Sequence, residues 1–334
     1  VRRGAGLFRL ADRGLIAVEG GDRTRWLDGM ISNDVASLGP EKSGCYAALL
    51  TRQGRIVSDL QVLWRPDAIW LELAADAVPA VIAHLEKFIV ADDVRLVDRS
   101  AATLRVAVEG PAAPEVLARA LGTPPGLARD ACAEVQLAGG VWLMARFGWS
   151  GGPAFQLFGD PARAEAALAA LMEAGGSLGL IEGDSQVLET LRIEAGIPRF
   201  GAELDESVVP PEARLERAIS TTKGCYTGQE VIARISSQGK VSHILVGLSS
   251  DGDEILEPGA AVEADGRKVG EVTSACLSPG AGSIALAFVR RAHEAVGTTL
   301  EVAGRRVRVS DLPFPAANAG PAANAGEPGG SAAG

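Results

Sequence analysis

The sequence contains no Cys-x-x-Cys pair. Its four cysteines, Cys45, Cys132, Cys225 and Cys276, lie far apart. That spacing argues against a zinc ribbon, a disulfide scaffold or a four-cysteine iron–sulfur cluster held by this chain alone, and no metal site is expected. No apolar run is long enough to span a bilayer, and Arg2, Arg3, Arg9 and Arg13 interrupt any signal-peptide core near the start. The cytoplasm is therefore the default compartment. Basic residues are not in excess either: 32 face 42 acidic ones, for a net charge of −10. Bulk electrostatic binding of nucleic acid is not expected on that ground, while a local basic pocket for a small anion stays open. The Gly-x-Gly-x-x-Gly dinucleotide fingerprint is missing as well; Gly110-Pro111 is turn chemistry only.

What the chain does have is length and core material. At 334 residues with 47% hydrophobic and 22% charged residues, it reads as a globular protein of two or three domains. Residues 1–240 alternate short strands with amphipathic helices, an α+β texture. Asp22, Asp76 and Asp160 stand where helix N-caps are expected. Residues 44–50 and 56–64 form a hairpin about Thr51-Arg52-Gln53-Gly54. After Gly239 six short strand-like runs separated by Gly and Pro turns predict a small β-barrel over 241–314. Residues 315–334 repeat Pro-Ala-Ala-Asn-Ala-Gly and predict a disordered tail.

One stretch carries chemistry: Lys223-Gly224-Cys225-Tyr226-Thr227-Gly228-Gln229-Glu230, a Gly-punctuated loop feeding a helix. A thiol between a lysine and a helix start is expected to favour the thiolate, which makes Cys225 a functional candidate. Asp59 lies inside an apolar strand, either on the solvent face or in a pocket, and pattern alone favours solvent. Trp149, in the turn Gly148-Trp149-Ser150-Gly151-Gly152-Pro153, could lie against a flat ligand.

The cysteine motif resembles the signature of the YgfZ-type folate-binding proteins, relatives of the glycine-cleavage aminomethyltransferase within the GcvT-like superfamily. Arg192-Ile193-Glu194-Ala195-Gly196-Ile197-Pro198 and Gly270-Glu271-Val272-Thr273-Ser274 extend the likeness to about residues 7–314. The resemblance implies two interleaved α+β subdomains and a C-terminal barrel arranged around a central pocket for tetrahydrofolate. It moves Asp59 from solvent to pocket, as the aspartate beside the folate's reactive nitrogens. The transferases carry Gly-Tyr-Thr-Gly-Glu, whose glutamate binds the pterin; here Gly148 to Gly152 put Trp149 for tyrosine and offer no carboxylate. Trp149, Arg192, Glu194, Lys223 and Tyr226 become the candidate cofactor-binding residues, with an ion pair bracing the helix end as the rival reading of Arg192 and Glu194.

Two functions follow from the resemblance. The favoured one is a folate-binding accessory protein for iron–sulfur cluster assembly or repair, with cluster-dependent tRNA-modifying enzymes among the clients it could support. Cys225 would then work with assembly proteins or client enzymes that hold the cluster. The alternative is a tetrahydrofolate-dependent aminomethyltransferase that uses Asp59 and leaves Cys225 a structural role.

Overall fold

The structure, a computed structural model, describes residues 1–239 and 241–315. The expected tail therefore lies, beyond residue 315, outside the described residues. In chain order the front of the protein runs β1 (Ala5–Arg9), β2 (Arg13–Glu19), α1 (Arg23–Met30), β3 (Gly44–Leu50), β4 (Ile56–Trp64), β5 (Ile69–Ala74), α2 (Val78–Glu86) and β6 (Arg95–Asp98). It continues through β7 (Leu104–Glu109), α3 (Ala113–Leu121), β8 (Cys132–Leu137), β9 (Gly140–Ala145), β10 (Ala154–Gly159), α4 (Ala164–Gly175), β11 (Leu180–Glu182) and α5 (Ser185–Glu194). A long irregular segment then leads to α6 (Gln229–Gln238).

These elements make two sheets that exchange chain. One has the order β3-β4-β5-β2-β6, the other β11-β1-β7-β10-β9-β8. Because β1 joins the second sheet and β2 the first, the two α+β subdomains are interleaved, as the resemblance implied. Each sheet buries its outer face under helices. Leu60, Val62 and Leu71 pack with Trp26 and Leu27 of α1 and Val81 and Leu85 of α2. Val106, Val108 and Leu157 pack with Val116 and Leu117 of α3 and Leu168 and Leu171 of α4.

The inner faces meet. Leu15 and Leu63 of the first sheet share a cluster with Cys132, Leu143, Ala145 and Phe158 of the second. Further along the first sheet's inner face, Ala48, Leu50 and Ile56 are covered instead by Leu204, Val208, Ala213, Leu215, Tyr226 and Ile232. Strands buried on both faces read as nearly continuous apolar runs. That is why Asp59 and Gln61 stand out in β4.

Two of the expected helix caps are corrected. The Asp22 carboxylate makes no cap bond and accepts from the Asp93 amide instead, at 2.9 Å. Asp76 sits within a single 3-10 turn and caps nothing. Asp160 and the unexpected Asp184 do accept from first-turn amides, those of Ala162 and Val187, each at 2.9 Å.

The C-terminal unit is a closed barrel of β12 (His243–Ser250), β13 (Ala261–Ala264), β14 (Arg267–Ser278), β15 (Gly282–Arg290), β16 (Thr299–Val302) and β17 (Arg305–Ser310). Its order is β12-β15-β14-β13-β16-β17, with β17 returning to β12 so that no edge is left open. Val246, Leu248, Val262, Val289, Val302 and Val309 help fill the interior. Ile193 of α5 packs with Leu245, Cys276, Ile284 and Leu286 on the barrel wall. Among the described residues no helix is long and apolar enough to cross a membrane.

Candidate functional site

Asp59 lies at the seam where cover of the first sheet's inner face passes from the second sheet to the 204–232 segment. It is only 3% exposed. The Tyr46 hydroxyl, one strand over on β3, donates to its Oδ2 at 3.0 Å, while Oδ1 has no partner. Burial pushes the Asp59 carboxyl above the usual carboxylate range, against the pull of Arg13 and of the Tyr46 hydrogen bond. A buried carboxylate with one oxygen fastened and the other free is poised to accept a donor from a ligand.

The neighbouring inner-face positions carry more polar groups. Arg13 of β2 grips Glu72 of β5 through Nε and Nη2, at 2.5 and 2.8 Å. Its guanidinium carbon lies 4.8 Å from the ring centroid of Trp149. From the second sheet, Gln156 is wholly buried with both amide atoms unpartnered, and Arg105 leaves Nε and Nη1 unpartnered. Register puts Gln156 opposite Ala107 and Phe158 opposite Arg105, so both side chains share the face on which Phe158 meets Trp70. Arg13, Trp149, Leu188, Glu189, Arg192 and Arg199 line a small cavity behind this layer.

Trp149 is set by a residue that the sequence did not single out. Glu109, at the end of β7 and fully buried, accepts from the Trp149 amide at 3.0 Å and the Ser150 amide at 2.7 Å. Burial pushes its carboxyl up, and the backbone donors pull it down. Gly148 is required here, since a Cβ would come within 2.5 Å of the Glu109 carboxylate and 2.4 Å of the Ala154 methyl. Glu109, Gln156 and Arg105 alternate with apolar residues in sequence. A polar residue on the inner face of a strand was the only signal available for them.

The cysteine loop departs from expectation. Lys223 does not turn toward Cys225. Its Nζ donates to Ile31 O at 3.0 Å, Asn33 O at 2.8 Å, the Asp28 carboxylate at 3.1 Å and the Asp28 carbonyl. The lysine thus tethers the loop to the C-terminal end of α1, where carbonyls lack intrahelical partners. α6 begins at Gln229, four residues beyond Cys225. Cys225 is nevertheless the one exposed thiol among the described residues. Burial pushes Cys45 and Cys276 up to about 12 and Cys132 to about 11.

Tyr226, Glu194 and Arg192 are occupied by contacts within the protein. Tyr226 is buried with Leu50, Ile56 and Ile232, the ordinary core side of a loop. Glu194 pairs with Arg2 and accepts from the Ser278 hydroxyl at 2.5 Å, away from the cavity. Arg192 reaches the cavity wall but is spent as a buried hub. It holds Glu189 in two bonds, Glu203 at 2.9 Å, the Ile197 carbonyl at 2.7 Å and Ser274 of the barrel at 2.7 Å. Arg192 and Glu194 therefore do not pair with each other.

A larger cleft of about 430 Å³ opens elsewhere between the sheets, beside Trp70, Phe158 and Arg65. Its charges pair among themselves, Arg65 with Asp67 and Glu134, and Arg99 with Glu19. Asp59, Gln156 and Arg105 carry five of the eight unpartnered buried side-chain atoms among the described residues, so the candidate site is placed there.

Two exchanged α+β subdomains and a closed barrel docked on α5 define the fold, with a polar seam around the buried Asp59. Residues 1–223 match the GCVT N-terminal domain, and residues 244–315 match the glycine cleavage T-protein C-terminal barrel domain. The chain belongs to this glycine cleavage T-protein family. It is 35% identical over 305 residues to an aminomethyltransferase of Streptomyces avermitilis, covering 89% of this chain and 82% of that one. It is 34% identical over 331 residues to an aminomethyltransferase of Cutibacterium acnes, covering 94% and 88%. The solved glycine cleavage system aminomethyltransferase T from Bartonella henselae superposes with a TM-score of 0.84 at 27% identity, over 94% of this chain and 87% of that one.

Proposed function

We propose that this chain is a tetrahydrofolate-dependent one-carbon transferase of the aminomethyltransferase class, with the reduced pterin held at Asp59. The observation that carries this reading is the Asp59 carboxylate, buried, bonded by Tyr46 on Oδ2 and unpartnered on Oδ1. The aminomethyltransferase relatives support it. It reverses the order of the two functions drawn from the cysteine motif.

The residues present fit the group. A reduced pterin edge is a row of N–H donors beside a carbonyl acceptor. Asp59 Oδ1 needs a donor, the Gln156 amide needs one of each, and Arg105 has donors to spare. The tetrahydrofolate nitrogens, when bound, supply the nucleophile that takes up the one-carbon unit. Asp59 would hold and orient those N–H groups and take or return a proton at Oδ1, a role that burial favours by raising its pKa. Arg13 and Trp149 would wall the site from water. In this reading 1–240 is the folate-binding unit, and the barrel at 241–314 braces it through Arg192 and Ser274.

The test is formation of methylenetetrahydrofolate from tetrahydrofolate and an aminomethyl donor or formaldehyde. Activity that Asp59→Asn abolishes without unfolding the protein supports the reading. Asp59→Asn turnover equal to wild type would sink it.

A second reading is kept for one observation. Cys225 is exposed on a stretch, 224–243, that lies between the two matched domains. There the thiol would serve an iron–sulfur assembly partner or client, including tRNA-modifying enzymes, as a YgfZ-type factor. Cys225→Ala that loses rescue of cluster enzymes in a deletion strain, with tetrahydrofolate binding intact, would favour it; full rescue would remove it.

A further inference from the structure

Arg217 takes no part in the site as described, yet its placement is heavily determined. It lies in the one-turn 3-10 helix Glu216–Ala218, on the segment that covers the seam. Its guanidinium carbon is 4.8 Å from the ring centroid of Tyr46, the residue whose hydroxyl bonds Asp59. Nη1 donates to both oxygens of Asp130, at 2.9 and 2.8 Å. Asp130 in turn accepts from Gln61, two residues along β4 from Asp59. The Asn33 amide donates to the backbone carbonyls of both Tyr46 and Arg217, at 2.7 and 3.1 Å.

Asp130 itself is held in place at a cost. Its φ is +66°, in the left-handed region that a non-glycine residue seldom adopts. Its carbonyl oxygen would lie 2.1 Å from a Cβ on Gly44, so β3 can approach only because residue 44 is glycine. A mere surface ion pair, of little worth, needs none of this. A clamp on the ring beneath the guanidinium does.

We propose that Arg217 is a positioning residue: fixed by Asp130, it holds the Tyr46 ring so that the phenol stays on Oδ2 of Asp59 and Oδ1 is reserved for the ligand. The inference deepens the reading of the seam as a reduced-folate site and rests on it for its binding consequence. Its geometric consequence concerns the ligand-free protein alone.

The experiment is a double-mutant cycle on the full chain, with tetrahydrofolate titrated calorimetrically into wild type, Arg217→Met, Tyr46→Phe and the double variant. If Arg217 works through the hydroxyl, each single variant binds roughly tenfold more weakly and the double variant loses nothing further. A role in packing alone survives in the Tyr46→Phe background, because the ring is still there. Wild-type affinity in Arg217→Met, or its full loss repeated on top of Tyr46→Phe, overturns the proposal. A second readout needs no ligand: NMR titration of the Asp59 carboxyl carbon. The groups that face this carboxyl are Arg13 from β2, Tyr46 from β3 and Glu72 from β5. Arg217→Met is expected to move the titration up, as Tyr46→Phe does, and to have no effect when that hydroxyl is gone. Should wild type bind no tetrahydrofolate, the folate reading falls and this titration still decides the role of Arg217. Should Arg217→Met fail to fold, Asp130→Asn, which releases the same guanidinium, is expected to give the same shift; no shift in that variant counts against the proposal.

Discussion

Lys223 and Asp28, 195 residues apart in the chain, are joined where the last carbonyls of α1 converge on one ammonium. The Lys223 side chain is 1% exposed. A lysine two residues before an exposed cysteine thus serves as a fastener for the loop.

Removing that fastener is costly. Lys223→Met leaves three backbone carbonyls and one carboxylate facing a methyl group. We expect a loss of about 2–4 kcal/mol in urea unfolding, the range for orphaned buried polar groups and broken buried pairs. Stability within a few tenths of wild type would mean that the four contacts carry no weight.

Thiol accessibility separates Cys225 from its fellows. In the folded protein one equivalent of an aromatic disulfide reagent is expected to react rapidly, and four are expected in denaturant. Cys225→Ala should remove the fast phase and leave the melting temperature unchanged, because the side chain is exposed and makes no core contact.

Glu109 gives a pH dependence of definite sign. Its carboxyl is raised in the folded protein, chiefly by burial, so the folded state holds a proton that the unfolded state has already released. The contribution is fully present below the unfolded value of about 4.3 and is lost as pH rises through the folded one. Wild-type stability relative to Glu109→Gln should therefore fall as pH rises from about 4 toward neutrality. Denaturation curves across that window check it; a difference that grows with pH would reverse the assignment.

Gly228 provides a test of how α6 is seated. Its φ is +87°, and a Cβ there would lie 2.6 Å from the Thr51 carbonyl at the hairpin tip. Gly228→Ala is expected to cost more than about 1 kcal/mol, since strain and clash add. A neutral effect in thermal melts would show that the loop yields freely.

Periodicity reached the architecture because local signals and burial agree there. The six barrel strands, the hairpin about Gly54 and the amphipathic stripe of α2 were all legible. The exchange of β1 between sheets was not, as nothing local in Ala5–Arg9 tells which sheet it joins; that came from the resemblance. Asp59 was visible as a polar residue in an apolar strand, but its direction depended on a neighbouring sheet about 100 residues away in sequence. Lys223 misled for the same reason. Its partners, Asp28, Ile31 and Asn33, are distant in sequence, and adjacency to Cys225 suggested a pairing that the fold does not make. Glu109 and Gln156 were passed over because nothing in the chain shows that their strand face is the inner one.

The most direct measurement is tetrahydrofolate affinity in wild type and Asp59→Asn, taken by calorimetry with both proteins shown to be folded. An unpartnered Oδ1 that receives a ligand N–H predicts saturable one-to-one binding in wild type, weakened by roughly tenfold or more in the variant. Equal affinity in the two proteins, or no binding in wild type, would contradict it.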